Sequence, residues 1–388
     1  MTGRGASGAP AAVRHLLWSL AVALLVLALC EGGLRLAGFY GVTPARPPTW
    51  MDGETYELWQ RSTEALGVDL SDVTDLEGWR WDPVTRWALK PNVDIAARNI
   101  FLDPARADTV WRLTTNSRGY RTPEFDDTAS DGRLRVLVLG DSNSMGWLLD
   151  DEDAYPRRLE GHLEDLLNSP VEVINLAVGG YTSFSVKDLF FREALDLDPD
   201  ALVISCGAND GQIMSTSDAD YAAGSPPSPD GLAGRLGRLR LTALLRRLLP
   251  SGEERLVPRV DPESYGANLD AVGVAARARG IPVVFLKVCC CKEGYNEKLD
   301  EAARRHRIPV VTAAEGMSVA MAQPEVRQKY SSLIGEIDGW YSLEEKKADF
   351  SLLFYFRDQC HLNPLGAELT AAALAGSLAA ELGKGAAP

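Results

Sequence analysis

From Leu134 onward, short apolar runs alternate with stretches in which apolar positions recur every three or four residues. The runs predict strands over residues 134–139, 171–176, 201–206, 282–288 and 308–311. The three-and-four spacing predicts helices over 153–167, 185–195, 262–279, 295–307 and 365–382. Pro156 suits a first helical turn, and Gly280 closes the third of these helices. The strand runs are apolar throughout rather than alternating, which is the pattern of strands buried on both faces. Repeated strand-then-helix units of this kind predict an α/β fold with a parallel sheet covered on both sides.

Two insertions interrupt this order, at about 211–260 and 325–350. The first opens as a Ser/Pro/Asp-rich loop and continues as an Arg/Leu-rich amphipathic helix over 236–249. That helix could lie on a membrane surface, act as a lid, or pack on the domain. The second carries mixed charge in a helical pattern.

Residues 39–132 read differently. Trp and Pro occur in irregular company, as in Trp79-Arg80-Trp81 and Trp87. Residues 109–115 alternate well enough for a strand, and Asn116-Ser117-Arg118-Gly119 is a turn signal. A small β-rich extension is one reading, and a spacer between the main domain and a membrane is another. Before it, Arg4, Arg14 and His15 precede a run of apolar residues from Leu16 to Leu29, with Glu31 and Arg35 at i,i+4 spacing beyond. Residues 1–38 are expected to form a membrane anchor. A cleaved signal peptide and a lipoprotein signal at Cys30 are the alternatives. In each case the basic flank predicts that the body of the protein lies outside the cytoplasm.

Composition narrows the function. With 388 residues and a formal net charge of −14, the chain has no basic excess for a nucleic-acid partner. Its six cysteines form no CxxC pair, so neither a zinc ribbon nor a thioredoxin-type centre is expected. Cys206, Cys289 and Cys360 are all expected near one edge of the sheet. A disulfide from Cys206 to one of Cys289, Cys290 and Cys291 is one expectation, and buried thiols are the other.

The candidate chemistry begins at Val136-Leu-Val-Leu-Gly-Asp-Ser-Asn-Ser-Met-Gly146, where a strand ends at Gly140 and presents Ser142 in a tight turn. Such a turn can simply satisfy its own backbone. It can also hold a nucleophile at the carboxyl edge of the sheet, where α/β folds bind ligands. The motif contains neither GxGxxG nor GK[ST], which disfavours a nucleotide site. Of the four histidines, His15 flanks the apolar segment, His162 lies beside a helix face, and His306 sits in a basic helix end. His361 lies in a loop before the last helix, three residues after Asp358. That spacing can bring the carboxylate to Nδ1 and leave Nε2 to take a proton from a serine. Asn363-Pro364 reads as the start of the final helix whether or not this pair is catalytic. For an oxyanion, the loop after the second strand offers the backbone N–H of Gly180, and the loop after the third offers the Asn209 side chain.

Together these segments resemble the SGNH (GDSL-like) hydrolases, whose blocks carry Ser, Gly, Asn and His in that order. Gly140-Asp-Ser-Asn143, Asn175-Leu-Ala-Val-Gly-Gly-Tyr181, Gly207-Ala-Asn-Asp210 and Asp358-Gln-Cys-His361 match the four blocks. The first reads GDSN where GDSL is usual, and Gly179 adjoins Gly180 in the second. Over residues 134–382 the resemblance implies a flavodoxin-like three-layer α/β/α sandwich. It also implies Ser142 as nucleophile, His361 with Asp358 as its base pair, and Ser142, Gly180 and Asn209 as oxyanion donors. No metal or organic cofactor is implied. The N-terminal segment and the Asn116–Arg121 turn look like those of bacterial membrane-anchored members.

The resulting expectation is a serine esterase outside the cytoplasm, acting on a short-chain acyl ester such as an acetyl group, on a polysaccharide or lipid. An acyltransferase with the same triad and a non-catalytic glycan- or partner-binding envelope protein are the alternatives.

Overall fold

In the computed structural model, the described residues are 11–37, 78–98, 110–128, 132–224, 231–232, 236, 239–248, 256–288, 294–341, 350–356 and 358–385. They fall into two compact units, one from residues 1–46 and 227–255, the other from 47–226 and 256–388.

The first unit contains the 26-residue helix Ala11–Leu36, which is about 39 Å long at 1.5 Å per residue. It is apolar enough and long enough to cross a membrane, and none of its residues is buried. Near its end Glu31 pairs with Arg35 at 2.8 Å and accepts the backbone N–H of Leu241 at 3.0 Å, in the helix Arg240–Leu248.

The second unit opens with two antiparallel ribbons. One pairs β1 (Trp79–Asp82) with β2 (Arg86–Leu89). The other pairs β3 (Asp94–Arg98) with β4 (Val110–Thr114). Asn116 builds the turn that follows, its Oδ1 accepting the N–H groups of Arg118 and Tyr120, each at 3.0 Å.

The central sheet consists of β5 (Leu134–Gly140), β6 (Val171–Asn175), β7 (Ala201–Ser205), β10 (Val283–Lys287) and β11 (Val310–Thr312). All its pairings are parallel, in the order β11-β10-β7-β5-β6. Counted along the domain, this is the flavodoxin-like order 2-1-3-4-5. A short antiparallel pair, β8 (Ile213–Met214) with β9 (Val257–Pro258), closes the base of the first insertion. Every residue of β7 is buried, as are six of the seven in β5. This burial is why their sequences read as unbroken apolar runs.

Helices cover the sheet in two groups. The helices Tyr155–Leu167, Ala313–Ala322 and Pro364–Gly385 pack together, and so do Ser183–Arg192, Pro262–Ala278 and Tyr295–His306. The final helix is apolar enough to resemble a membrane span, but more than half of that stretch is buried in the domain. The helix expected over 185–195 begins at Ser183, because the Thr182 hydroxyl accepts the Ser185 N–H, and its α-helical part stops at Arg192. Within the second insertion, Pro324–Lys329 and Ser331–Asp338 are helical. The expected disulfide partners, Cys289, Cys290 and Cys291, lie outside the described residues.

Candidate active site

The turn after β5 is held by its own residues. Asp141 caps the short helix Ser142–Met145 by accepting the N–H of Asn143 at 3.0 Å. Gly146 ends that helix with φ +87°, in the left-handed region. The turn lies at the carboxyl end of β5, between β6 and β7, where the strand order reverses.

His361 reaches this turn from the opposite end of the domain sequence. Its Nε2 lies 2.8 Å from Ser142 Oγ, across 219 positions of chain. Its Nδ1 is hydrogen-bonded to Asp358 Oδ2. The other oxygen, Oδ1, accepts the N–H groups of Cys360 at 3.1 Å and His361 at 3.0 Å, so the carboxylate cannot swing away from the ring. Asn143 ties the two loops together, its Oδ1 accepting the Leu362 N–H at 3.2 Å. Asn363 accepts the Gly366 N–H at 3.0 Å and starts the final helix just beyond.

The electrostatics follow from burial and neighbours. Desolvation acts to lower the basicity of His361, but the charge and hydrogen bond of Asp358 outweigh it and lift the imidazole to about 9. Desolvation pushes the buried Asp141 carboxyl up to about 6, against the Asn143 hydrogen bond. Asp210 is pushed up to about 7 by burial, against hydrogen bonds from the Ser183 hydroxyl and N–H.

The loop after β6 is hooked to β5 by the N–H of Val178, which donates to Gly140 at 3.2 Å. Gly180 has φ +80°, and among the described residues its N–H has no hydrogen-bond acceptor. Asn209 is buried; its Nδ2 donates to the Tyr181 carbonyl at 3.0 Å, and its Oδ1 accepts from Gln212 at 2.8 Å. One Nδ2 hydrogen is thereby used and the second is available to a ligand.

Of the other histidines, His162 meets Glu368 at 3.1 Å and His306 meets Asp270 at 2.9 Å, both away from Ser142. His15 lies in the N-terminal helix.

Several contacts have no counterpart in the sequence reading. The Trp147 ring stands 6.4 Å from that of His361 and within 6 Å of those of Trp79 and Trp111. Arg121, almost fully buried, donates to the carbonyls of Met145 (3.1 Å), Arg112 (2.8 Å), Leu149 (2.5 Å) and Gly146, and pairs with Asp151 at 2.6 Å. It ends the Asn116–Arg121 block, which the sequence marks only as a turn. Trp87 donates its indole N–H to the Gly179 carbonyl at 2.8 Å.

A serine presented at the switch point of a parallel sheet, hydrogen-bonded to a histidine that a carboxylate orients, defines the serine-hydrolase class. The chain belongs to the GDSL-like lipase/acylhydrolase family, whose model matches residues 138–369, and it is a serine ester hydrolase.

Among solved structures, the chain is similar to TesA at 17% identity, covering 63% of this chain and 97% of that one with a TM-score of 0.38. A lipase/acylhydrolase from Enterococcus faecalis matches at 16% identity over 64% and 96%, with a TM-score of 0.37. A psychrotrophic esterase, EstA from a Pseudoalteromonas species, matches at 14% over 63% and 96%, with a TM-score of 0.38. A search of curated proteins finds no match.

Proposed function

We propose that this enzyme is an extracytoplasmic serine esterase that removes a short acyl group from an oxygen ester, using Ser142, His361 and Asp358. The observation that carries the reading is the hydrogen-bonded chain from Ser142 Oγ through His361 to Asp358.

In the neutral state, His361 Nε2 accepts the Ser142 proton as Oγ attacks the acyl carbonyl. The carbonyl oxygen gains the negative charge, and the N–H groups of Ser142 and Gly180 and the Asn209 amide stabilise it. Collapse expels the alcohol, which takes its proton from His361 and leaves an acyl-serine. His361 then removes a proton from water, whose oxygen attacks the acyl carbon. The carboxylic acid departs and Ser142 regains its proton. Asp358 holds the imidazole in the tautomer these transfers need.

The apolar helix Ala11–Leu36 supports a membrane anchor, and the preceding Arg4 supports an exterior catalytic domain. The half-buried Trp147 ring beside His361, with the half-buried Trp79 ring next to it, supplies an apolar face against which a sugar ring can stack, so we favour an acylated glycan as substrate.

A fluorophosphonate probe followed by a panel of activated and glycan acyl esters tests the reading. We expect covalent labelling and ester hydrolysis in the wild type and neither in Ser142→Ala. Equal hydrolysis by Ser142→Ala would overturn it. Transfer of the acyl group to an added sugar in place of release as free acid would assign acyl transfer instead.

A further inference from the structure

We propose that Trp87 and Arg259 are positioning residues for the oxyanion donor at Gly180, so that the N-terminal extension and the first insertion complete the catalytic site. This rests on the assignment of the Gly180 N–H as an oxyanion donor made above.

Gly179-Gly180 is the most flexible dipeptide a loop can contain, because neither residue has a side chain to restrict its backbone. A catalytic donor must nonetheless be fixed before charge develops on the substrate. The loop achieves this with three consecutive carbonyls, each held by a side chain from a different segment. Gly179 accepts from Trp87 Nε1 at 2.8 Å, Gly180 from Arg259 Nη1 at 2.7 Å, and Tyr181 from Asn209 Nδ2 at 3.0 Å.

The first of these bonds bears directly on the donor. The Gly179 carbonyl and the Gly180 N–H belong to one trans peptide plane, so they point in opposite directions. Holding the carbonyl on one side aims the N–H to the other, where it has no acceptor among the described residues. The Trp87 ring also fills the space beside Gly180: a Cβ there would lie 2.7 Å from the ring.

The two clamps are themselves braced. The fully buried Arg259 makes two hydrogen bonds to the Asp218 carboxylate, at 2.9 and 3.1 Å, and its guanidinium carbon lies 5.1 Å from the centre of the Trp87 ring. Asp218 also accepts from Thr182 at 2.7 Å, in the loop being held, and from Arg86 at 2.7 Å, beside Trp87. Extension, insertion and oxyanion loop thus share one network.

The test compares wild type, Trp87→Phe and Arg259→Lys by kcat, KM and pH profile on an activated ester, by melting temperature, and by inhibition with an alkylboronic acid. Attack of Ser142 on boron makes it tetrahedral and places an oxygen in the oxyanion site, so boronate affinity reports on that site. Trp87→Phe keeps an aromatic ring and removes the N–H.

We expect kcat to fall by about 10- to 100-fold, the scale of a misplaced catalytic group. KM should stay within about twofold, the pattern of an interaction made only in the transition state. The boronate inhibition constant should rise in step with the loss of kcat, and the pH midpoint, set by His361 and Asp358, should not move. Arg259→Lys should shift the same quantities in the same direction. If Trp87→Phe does not fold, 3-benzothienylalanine at position 87 replaces the N–H with sulfur and preserves the ring shape.

Unchanged kcat and boronate inhibition would overturn the proposal. A fall in activity with boronate inhibition unchanged and the pH midpoint displaced would overturn it too. Ser142→Ala, run alongside, separates the two levels: wild-type hydrolysis that persists in that variant refutes the esterase reading itself. Ser142-dependent hydrolysis that ignores Trp87→Phe refutes only the role of Trp87.

Discussion

At the residue scale the decisive group is His361. Its imidazole is lifted to about 9 because Asp358 favours the charged ring more strongly than burial opposes it. A base must be neutral to accept a proton, so kcat/KM should climb with pH, with its midpoint near pH 9 and its plateau above. Asp358→Asn should move the midpoint down to the ordinary imidazole value of about 6.5 or below it, because burial then acts without the carboxylate's charge. It should also lower kcat by about 1,000- to 10,000-fold, since the tautomer is no longer fixed. A pH–rate profile of both proteins checks this. The same shift has a consequence for stability. The folded state binds the His361 proton more tightly than the unfolded chain does. Its stabilisation is therefore complete below about pH 6.5 and is lost as pH rises through the folded value near 9. Urea unfolding should show the wild type losing stability across that window, and His361→Gln should lack this component.

Ser142, Asp358 and His361, which the fold brings into one hydrogen-bonded chain, could be picked out of the sequence as candidates because each sits in a short block whose residue types match a chemical task. Trp87 and Arg259 were not. Both bind backbone carbonyls, which every residue carries, so nothing in the partner's sequence marks the contact. The same holds for Arg121, whose four carbonyl acceptors leave no pattern to read.

At the scale of elements, β5 and the turn that follows form the working part, and Arg121 fastens that turn from the extension. Substituting Met at Arg121 would keep much of the side-chain volume, take the guanidinium donor from four carbonyls and remove the cation paired with Asp151, which keeps its Thr114 hydrogen bonds. We expect a loss of about 2 to 4 kcal/mol in unfolding free energy, mainly from buried carbonyls left without a donor, measured by chemical denaturation. The sheet strands were legible because burial on both faces leaves an unbroken apolar run. Their order was not legible in the runs themselves, because it depends on which strands pair across the chain; it was implied by the family resemblance, and the sheet has that flavodoxin-like order. Helix ends also differ by a few residues where a local cap decides them. Thr182 starts one helix at Ser183, and Arg307, at φ +55°, ends another.

At the scale of the whole molecule, the long apolar helix and the hydrolase domain pose separate questions. The helix Ala11–Leu36 has no buried residue among those described, so its apolar surface needs a membrane or another partner. Full-length protein is expected in the membrane fraction of its host, with the hydrolase domain accessible to protease added from outside. A variant lacking residues 1–38 should be soluble and should keep its ester hydrolysis. Recovery of the full-length protein as a soluble species, or an inactive truncation that remains folded, would contradict the assigned division of labour.

We assign Ser142, hydrogen-bonded across 219 positions of chain to His361, as the nucleophile of this ester hydrolase. The most direct measurement is mass spectrometry of the protein after reaction with a fluorophosphonate, with peptide mapping of the adduct. One phosphonyl group is expected, on Ser142, in step with loss of esterase activity and absent from Ser142→Ala. A fully inactivated enzyme carrying its adduct on another residue, or full activity in Ser142→Ala, would contradict it.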